Sequence, residues 1–382
     1  MKALLKAIHA QTHTLGCQVP PAAWPWVVAQ LAHHHQRETP LVVVAPEASL
    51  APTLLASVQP LLPNSPVLHD PAWDVMPYDR LGPSAAVVAA RQEVLRAVLA
   101  PVQAGEAPVI ITSLPALLVR CHPLDNEPLT LKVGQTLSPT TLAQQLAMLG
   151  YTRTEVVQLP SSFALRGGLI DVWPPTTEAP LRLDFFGDEL EHIRTFEASS
   201  QQSLGKVPSA ILSAAGETLT PARIETFRRR YRELFGANPN DEIYTEVSEG
   251  IWPTDAGQLA PLLHEEPWPH LLQSLPKNST LVLPLDASAQ AERWYILAED
   301  ARAAREDSAQ ATLASTRILH ALPPELLLVS PEEWQAAQGL FRTLTLSAFG
   351  AAEGTPLPLL PVMQATSGNR HHALQQAVHR LQ

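Results

Sequence analysis

Cysteine is scarce in this sequence, and long apolar runs are missing. Cys17 and Cys121 are its two cysteines, too few for a disulfide framework or a cysteine-rich zinc site, and a reducing compartment fits such usage. No apolar run approaches the roughly 18 residues that a membrane span requires, and the start lacks the apolar core and cleavage site of a signal peptide. We therefore expect a cytoplasmic protein with no membrane partner.

Positive charge is also in short supply. The 26 Lys and Arg residues are outnumbered by 37 Asp and Glu residues, which gives a net charge of −11. The chain as a whole therefore lacks the charge of a nucleic-acid binder. One local basic cluster, Arg228–Arg232, shares a predicted helix with Glu225 and Glu233. A solvated helix face explains this cluster, and a contact with phosphate or a partner is the alternative.

Proline, in contrast, is abundant. The chain has 37 prolines among 382 residues, which predicts many short elements joined by stiff loops rather than long helices. Its 46% hydrophobic content and its length allow two or three domains with ample cores.

The first and last thirds of the chain alternate between buried-strand and helix patterns. Continuous apolar runs predict strands at residues 41–45, 109–112, 281–284, 326–329 and 344–346. Helical spacing of apolar residues separates these runs, for example at 87–99. Such alternation indicates a doubly wound parallel sheet. Because it stops before residue 128 and resumes after 215, we predict one α/β domain formed by residues 1–127 and 216–348.

Between these two parts the pattern changes to closely spaced strands. A helix begins with Ser138 as N-cap and Pro139 as first residue, and Gly150 ends it. Strand-like runs then follow at 154–158, 163–166, 169–173, 181–186 and 189–196. We predict an inserted small α+β module at 128–215, an antiparallel meander with one face on the helix and one in solvent. Residues 349–382 are predicted to be a linker and the first helix of a following domain.

The residues that a nucleotide-hydrolysing enzyme needs are not found. A P-loop requires G-x-x-x-x-G-K-[ST], because its backbone N–H groups, lysine and hydroxyl all contact phosphate or metal. Where such a loop would precede the first long helix, the chain reads Leu15-Gly-Cys-Gln-Val-Pro-Pro-Ala-Ala-Trp24. The lysine and the hydroxyl are missing, and Pro20 and Pro21 have no N–H. We expect no catalytic residues and no cofactor in this segment.

Histidine and acidic clusters do not predict a metal site. The successive residues His33, His34 and His35 fan around a helix instead of converging on an ion, and the same holds for His371 and His372. The sequence Asp188-Glu189 after an apolar run faintly resembles a Mg²⁺-binding pair. We favour a turn after an antiparallel strand, because Arg182 and Asp184 interrupt that run.

Alternation of side chains in residues 181–186 defines a candidate docking face. Leu181, Leu183 and Phe185 should face the core, which leaves Arg182, Asp184 and Phe186 on the other side. By the same rule Phe163 and Leu165 point inward, whereas Ala164 and Arg166 point outward.

Arginines beside an exposed aromatic residue are typical of protein-binding surfaces. We therefore predict that Arg166, Arg182 and Phe186 bind a partner, with Asp184 and Asp188 as secondary polar contacts. The alternative is that Phe186 lies under a loop and that the arginines pair with the two aspartates.

Four segments carry a family resemblance. They are Phe163-Ala-Leu-Arg-Gly-Gly-Leu-Ile-Asp-Val-Trp-Pro, Arg182-Leu-Asp-Phe-Phe-Gly-Asp-Glu, Ile193-Arg-Thr-Phe-Glu-Ala-Ser-Ser-Gln and Trp73-Asp-Val-Met-Pro-Tyr-Asp. Together they resemble the amino-terminal region of the bacterial transcription-repair coupling factors, which is itself similar to the excision-repair helicase UvrB. The resemblance spans about residues 15–350. One departure is Ser161-Ser162, where the family usually has Gly-Glu.

The resemblance implies a degenerate RecA/helicase-like domain that is split around a module binding the repair ATPase UvrA. The UvrA-contacting positions of the family fall on Arg166, Arg182 and Phe186. The family's RNA-polymerase-binding module and its DNA translocase, which uses ATP and Mg²⁺, would lie beyond residue 382. We thus expect a non-catalytic front end of a transcription-coupled nucleotide-excision repair factor, which recruits UvrA to stalled transcription complexes. The alternative is a nucleotide-dependent, helicase-like repair enzyme of the UvrB type.

Overall fold

The computed structural model describes residues 14–34, 39–101, 107–238, 240–311 and 317–347. The linker and helix predicted for 349–382 lie outside the described residues, as do His35, His371 and His372.

The described residues form short strands and helices joined by many turns. The strands are β1 (Thr14–Gln18), β2 (Leu41–Val44), β3 (Val67–His69), β4 (Val109–Thr112), β5 (Leu129–Lys132), β6 (Thr152–Arg153), β7 (Ser162–Arg166), β8 (Leu169–Trp173), β9 (Leu181–Phe186), β10 (Glu189–Phe196), β11 (Ser203–Val207), β12 (Ser209–Leu212), β13 (Thr280–Pro284) and β14 (Arg342–Ser347).

The α-helices are α1 (Trp24–His34), α2 (Ala51–Val58), α3 (Ala85–Leu99), α4 (Leu114–Leu117), α5 (Pro139–Met148), α6 (Pro221–Phe235), α7 (Glu242–Ser248), α8 (Leu271–Ser274), α9 (Ala287–Ala311), α10 (Pro324–Leu327) and α11 (Pro331–Gln338). Short 3-10 helices cover Pro21–Ala23, Ala48–Leu50 and Gln59–Leu61, and a longer one covers Thr254–Leu263. Within the described ranges, no helix has both the length and the apolar composition to cross a membrane.

The larger body is built on a parallel sheet with the strand order β1-β14-β13-β2-β4-β3. Strands β2, β4 and β13 are buried at every position, because helices cover both faces of the sheet. Helices α1 and α2 pack on one face, and α3, α9 and α11 pack on the other. The predicted α/β class with a doubly wound parallel sheet is confirmed.

Two predicted strands are wrong. Residues 326–329 are not a strand, since Pro324 begins the helical turn α10 and Leu328 then forms a single bridge with Val119. An apolar run by itself does not distinguish a buried strand from a buried helical turn. Residues 154–158 are not a strand either. The hydroxyl of Thr154 donates to the backbone oxygen of Val156 (3.2 Å), which bends the chain just after β6.

The second body is an antiparallel sheet with the order β11-β10-β9-β8-β7-β6, in which the short pair β6–β7 alone runs parallel. Helix α5 covers one face. Ser138 caps this helix by accepting a hydrogen bond from the backbone of Thr141, and Pro139 is its first residue. Leu142 and Leu146 of α5 are fully buried against the inward residues of the sheet. Strands β5 and β12 pair with each other.

These two sheets use residues 129–212, inside the span predicted for the inserted module, and its exact limits stay a prediction. Ion pairs join the segments that lead into and out of the module. Arg223 Nη2 lies 2.8 Å from Asp125 Oδ2, and His122 Nε2 lies 3.5 Å from Glu217 Oε1. These pairs hold the entering and leaving segments together next to the module.

A buried ion pair ties the parallel sheet to α3. Arg91 of α3 and Asp70, which follows β3, are 1% and 0% exposed, and Arg91 Nη1 lies 3.5 Å from Asp70 Oδ1. Thr112 at the end of β4 donates its hydroxyl hydrogen to the other oxygen of Asp70 (2.8 Å). Arg91 also donates to the backbone oxygens of Pro71 (3.0 Å), Ala116 (3.0 Å) and Val119 (2.9 Å). One guanidinium therefore links β3, α3 and the segment after β4.

We expect Asp70→Ala to lower the free energy of unfolding by about 3–5 kcal/mol, because Arg91 would keep a buried charge without a counter-ion. Urea denaturation followed by circular dichroism measures this change. Glu93→Ala, at an exposed position of the same helix, is the control and should change stability by less than about 0.5 kcal/mol. If the two variants are equally stable, the Asp70–Arg91 ion pair does not stabilise the fold.

Candidate protein-docking face

The face of the antiparallel sheet opposite α5, here called the outer face, carries most of the predicted site residues. Its strands are aligned so that one residue from each of five strands forms a lateral row. The row consists of Ala164 (β7), Asp171 (β8), Arg182 (β9), Arg194 (β10) and Lys206 (β11). Charged side chains from neighbouring strands therefore meet directly.

Ala164 lies on the outer face, as predicted, but the expectation that this face is solvated is wrong at this position. Ala164 is 1% exposed and packs with Val157 and Phe196 in a small apolar cluster. Two loops, 154–161 and 197–202, contact each other beside this cluster, where the Gln201 side-chain amide donates to the backbone oxygen of Val157 (3.2 Å). A simple alternation rule does not account for loops that fold back over a sheet.

Asp171 lies at the centre of the outer face and is 0% exposed. Arg182 donates to it twice, from Nε to Oδ1 (2.7 Å) and from Nη2 to Oδ2 (2.9 Å). Arg166 Nη2 also donates to Oδ2 (3.0 Å). Two-point pairing of a guanidinium with a carboxylate is strong and fixes the orientation of both groups. The buried carboxylate thus holds both predicted arginines.

Arg182 is engaged on several sides. Its Nη1 donates to the backbone oxygen of Gln201 (3.1 Å), and its guanidinium carbon lies 4.6 Å from the centre of the Phe196 ring. The hydrogen bonds to Asp171 raise the pKa of Arg182 above its ordinary value, against the opposing effect of burial. Its side chain is 17% exposed. Arg182 is therefore a largely internal residue of the outer face.

Arg166 and Phe186 are much more accessible. The Arg166 side chain is 48% exposed, and Asp171 is its hydrogen-bond partner among the described residues. Phe186 is 76% exposed, the largest value for a big apolar side chain in the described ranges. It ends β9 just before Gly187, whose φ of 61° suits a tight turn that glycine adopts without strain. Both side chains are open to a partner.

The secondary polar residues have different surroundings. Asp184 Oδ2 lies 3.3 Å from Arg194 Nη2 of the neighbouring strand. Asp188 lies in the turn between β9 and β10 and is exposed, and its backbone oxygen accepts a hydrogen bond from the Leu137 N–H (2.7 Å). The interpretation of Asp188-Glu189 as a turn agrees with this geometry. The alternative pairing of the arginines with Asp184 and Asp188 does not, because both arginines bind Asp171.

Asp171 is the residue that the sequence reasoning missed as part of the site. The signal was present, since an aspartate interrupts the apolar strand Leu169-Ile-Asp-Val-Trp173. A carboxylate in such a strand requires a counter-ion. Arg182 lies directly across from it in the antiparallel register, so pairing the two predicted strands would have identified the contact.

The basic cluster Arg228–Arg232 contacts its own surroundings. Arg228 lies 3.5 Å from Glu225, and Arg229 lies 3.1 Å from Glu233 and also pairs with Glu265. Arg230 donates to the backbone oxygens of Pro261 (2.8 Å) and His264 at the end of the long 3-10 helix. This geometry agrees with the interpretation of the cluster as a helix face with local ion pairs.

The strands of this face lie within a segment that matches a known domain family. Residues 129–217 match the family of UvrB interaction domains. The chain is 34% identical to the transcription-repair-coupling factor of Escherichia coli (strain K12) over 278 residues, which are 72% of this chain and 24% of that relative.

Two further relatives extend this similarity. The transcription-repair-coupling factor of Haemophilus influenzae is 30% identical over 289 residues, 74% of this chain and 24% of its own length. The UvrABC system protein B of Thermotoga neapolitana is 24% identical over 214 residues, 51% of this chain and 32% of its own length. The chain spans about a quarter of the length of the two coupling factors.

We expect Asp171→Asn to destabilise the module by about 2–3 kcal/mol, because Arg182 would lose charge-assisted hydrogen bonds at a buried position. Hydrogen exchange of the β8 and β9 amides should then become faster. Asp188→Asn, in the exposed turn of the same module, is the matched control and should leave exchange unchanged. Unaltered protection in the Asp171 variant would show that the ion pair does not hold the sheet.

Proposed function

We propose that this chain, a homologue of the transcription-repair-coupling factors with a UvrB interaction domain at residues 129–217, recruits UvrA through the outer face of that domain. Its relatives are DNA-repair proteins by name, coupling factors and a UvrABC component. The name of the coupling factors describes a link between transcription and repair. This chain would supply the contact with the excision-repair machinery, while RNA polymerase and DNA would be partners of the longer family members.

The observation that carries the proposal is the exposed pair of Phe186 and Arg166. Burying a phenylalanine that is 76% exposed on binding gains about 1.5–3 kcal/mol of hydrophobic free energy. Arg166 has N–H groups without a partner among the described residues and projects from a fixed position on Asp171. Arg166 and Phe186 lie on β7 and β9, with one strand between them, and arginine and aromatic side chains are the residue types enriched in binding hot spots.

We further propose that the α/β body does not use a nucleotide and that this segment is not itself an enzyme. Between β1 and α1, Pro20 and Pro21 have no N–H to offer a phosphate. The N–H of Ala23 donates to the backbone oxygen of Pro20 (2.9 Å), and that of Val19 donates to Ser347 of β14 (2.7 Å). These amides are thus used within the fold rather than directed at a ligand.

Purified chain should co-elute with UvrA, and alanine at Arg166 or Phe186 should each weaken the complex by about 1–3 kcal/mol. The triple alanine variant of Arg166, Arg182 and Phe186 should bind least. Isothermal titration calorimetry or biolayer interferometry measures the affinities. If the triple variant binds UvrA as tightly as the parent chain, the outer face is not the binding site. The recruitment of UvrA itself would still stand.

Two substitutions elsewhere on the module serve as matched controls. Arg153→Ala removes an exposed arginine from β6, and Met148→Ala removes an apolar side chain that is 65% exposed on α5, the helix that covers the opposite face. Both variants should bind UvrA as the parent chain does. If they weaken binding as much as the site variants, the effect reflects general damage to the module.

Titration of the chain with ATP and Mg²⁺ should release no binding heat, because the loop before α1 lacks a lysine, a hydroxyl and two amide donors. The same titration with a P-loop protein is the positive control, which confirms that the ATP can bind under these conditions. Micromolar ATP binding by this chain would overturn the proposal and favour a nucleotide-dependent enzyme of the UvrB type.

A further inference from the structure

Positive charge on the outer face continues past Arg182. Arg194 on β10 lies directly across from Arg182, and Lys206 on β11 lies directly across from Arg194. Neither cation belongs to the predicted set of Arg166, Arg182 and Phe186. Because neighbouring strands are about 4.8 Å apart, the three basic residues form a strip that ends at the edge strand of the sheet.

The two additional cations are more available than Arg182. Lys206 is exposed and has no ion pair among the described residues. The Arg194 side chain is 34% exposed, and its Nη2 lies 3.3 Å from Oδ2 of Asp184. That oxygen and the Nε of Arg194 are buried atoms without a hydrogen bond. A partner carboxylate can therefore reach the exposed part of Arg194 while its pair with Asp184 stays in place.

We infer that the docking surface extends over β10 and β11, where Arg194 and Lys206 contact an acidic patch on the protein that binds Phe186. This inference rests on the proposed function, since it assigns the second contact area to the same partner. Phe186 lies at the end of β9, next to the strand that carries Arg194. Arg182, which lies across from Arg194, is four residues along β9 from Phe186, about 14 Å at 3.4 Å per residue, so a single partner surface of ordinary size can cover both areas.

The charge pattern favours a protein over a nucleic acid as the occupant. Asp184, Asp188 and Glu189 lie among or beside the cations on this part of the module, and they would repel a phosphate backbone. The chain as a whole also carries a net charge of −11, which opposes binding to a polyanion. A protein surface with an acidic patch and an apolar pocket can complement charges of both signs and the aromatic ring.

The test compares the affinity of single and double variants for UvrA at low and physiological salt. We expect Arg194→Ala and Lys206→Ala together to weaken binding on the order of 10-fold, and to reduce the loss of affinity that added salt causes, because exposed cations are screened by salt. Lys206→Glu should weaken binding more than Lys206→Ala, since it repels an acidic partner. Lys132→Ala, an exposed lysine on β5 of the same module, should bind like the parent chain.

Three outcomes separate the inference from the function on which it rests. If the chain does not bind UvrA at all, the proposed function fails and the extension with it. If Arg166→Ala and Phe186→Ala weaken binding while the double variant and Lys206→Glu match Lys132→Ala, the extension is wrong and the function stands. If the double variant loses affinity for duplex DNA in gel shifts but keeps its affinity for UvrA, the strip is a nucleic-acid contact and the inference is overturned. Thermal melting of each variant excludes unfolding as the cause.

Discussion

The buried carboxylate of Asp171 is the constraint around which the outer face of the module is organised. A carboxylate with no exposure to water is stable when its charge is compensated and its oxygens are hydrogen-bonded. Arg182 meets both requirements from the neighbouring strand, in a register that places the two residues directly opposite each other. The same guanidinium lies over the ring of Phe196 and donates a hydrogen bond to the backbone oxygen of Gln201, so the 197–202 loop is fixed to the sheet by the same charge.

The parallel-sheet body contains a comparable ion pair with a different outcome. Arg91 and Asp70 are buried together, and the remaining donors of Arg91 are directed at backbone oxygens inside the fold. Nothing of that network reaches solvent, and its effect is structural. On the module, Asp171 is shared between the internal Arg182 and the half-exposed Arg166. Arg166 thus gives the second network a charged group that reaches solvent, which the first network lacks.

The sequence predicts the parts of this structure that depend on local pattern. Continuous apolar runs identified β2, β4 and β13, and alternation identified the inward side of β9 and the exposure of Phe186. It did not predict the burial of Ala164 or of most of Arg182. Both depend on loops 154–161 and 197–202, which fold back over the sheet, and the hydrogen bond between these loops joins residues 44 positions apart. The run at 326–329 was misassigned for a related reason, because burial from all sides hides the periodicity that distinguishes a strand from a helical turn.

A loss of UvrA binding in an Arg182 variant would not by itself show that Arg182 contacts UvrA. Without Arg182, Asp171 would keep a single counter-ion, Arg166. The Arg166 guanidinium would then be drawn towards the buried carboxylate to compensate its charge, and fewer of its N–H groups would reach a partner. Substitution of Arg182 can thus weaken docking through Arg166 and through the loss of order in the 197–202 loop, without any direct contact. If UvrA binds this face as proposed, exposure favours Arg166 and Phe186 as the direct contacts, and Arg182 would orient Arg166 through the shared carboxylate of Asp171.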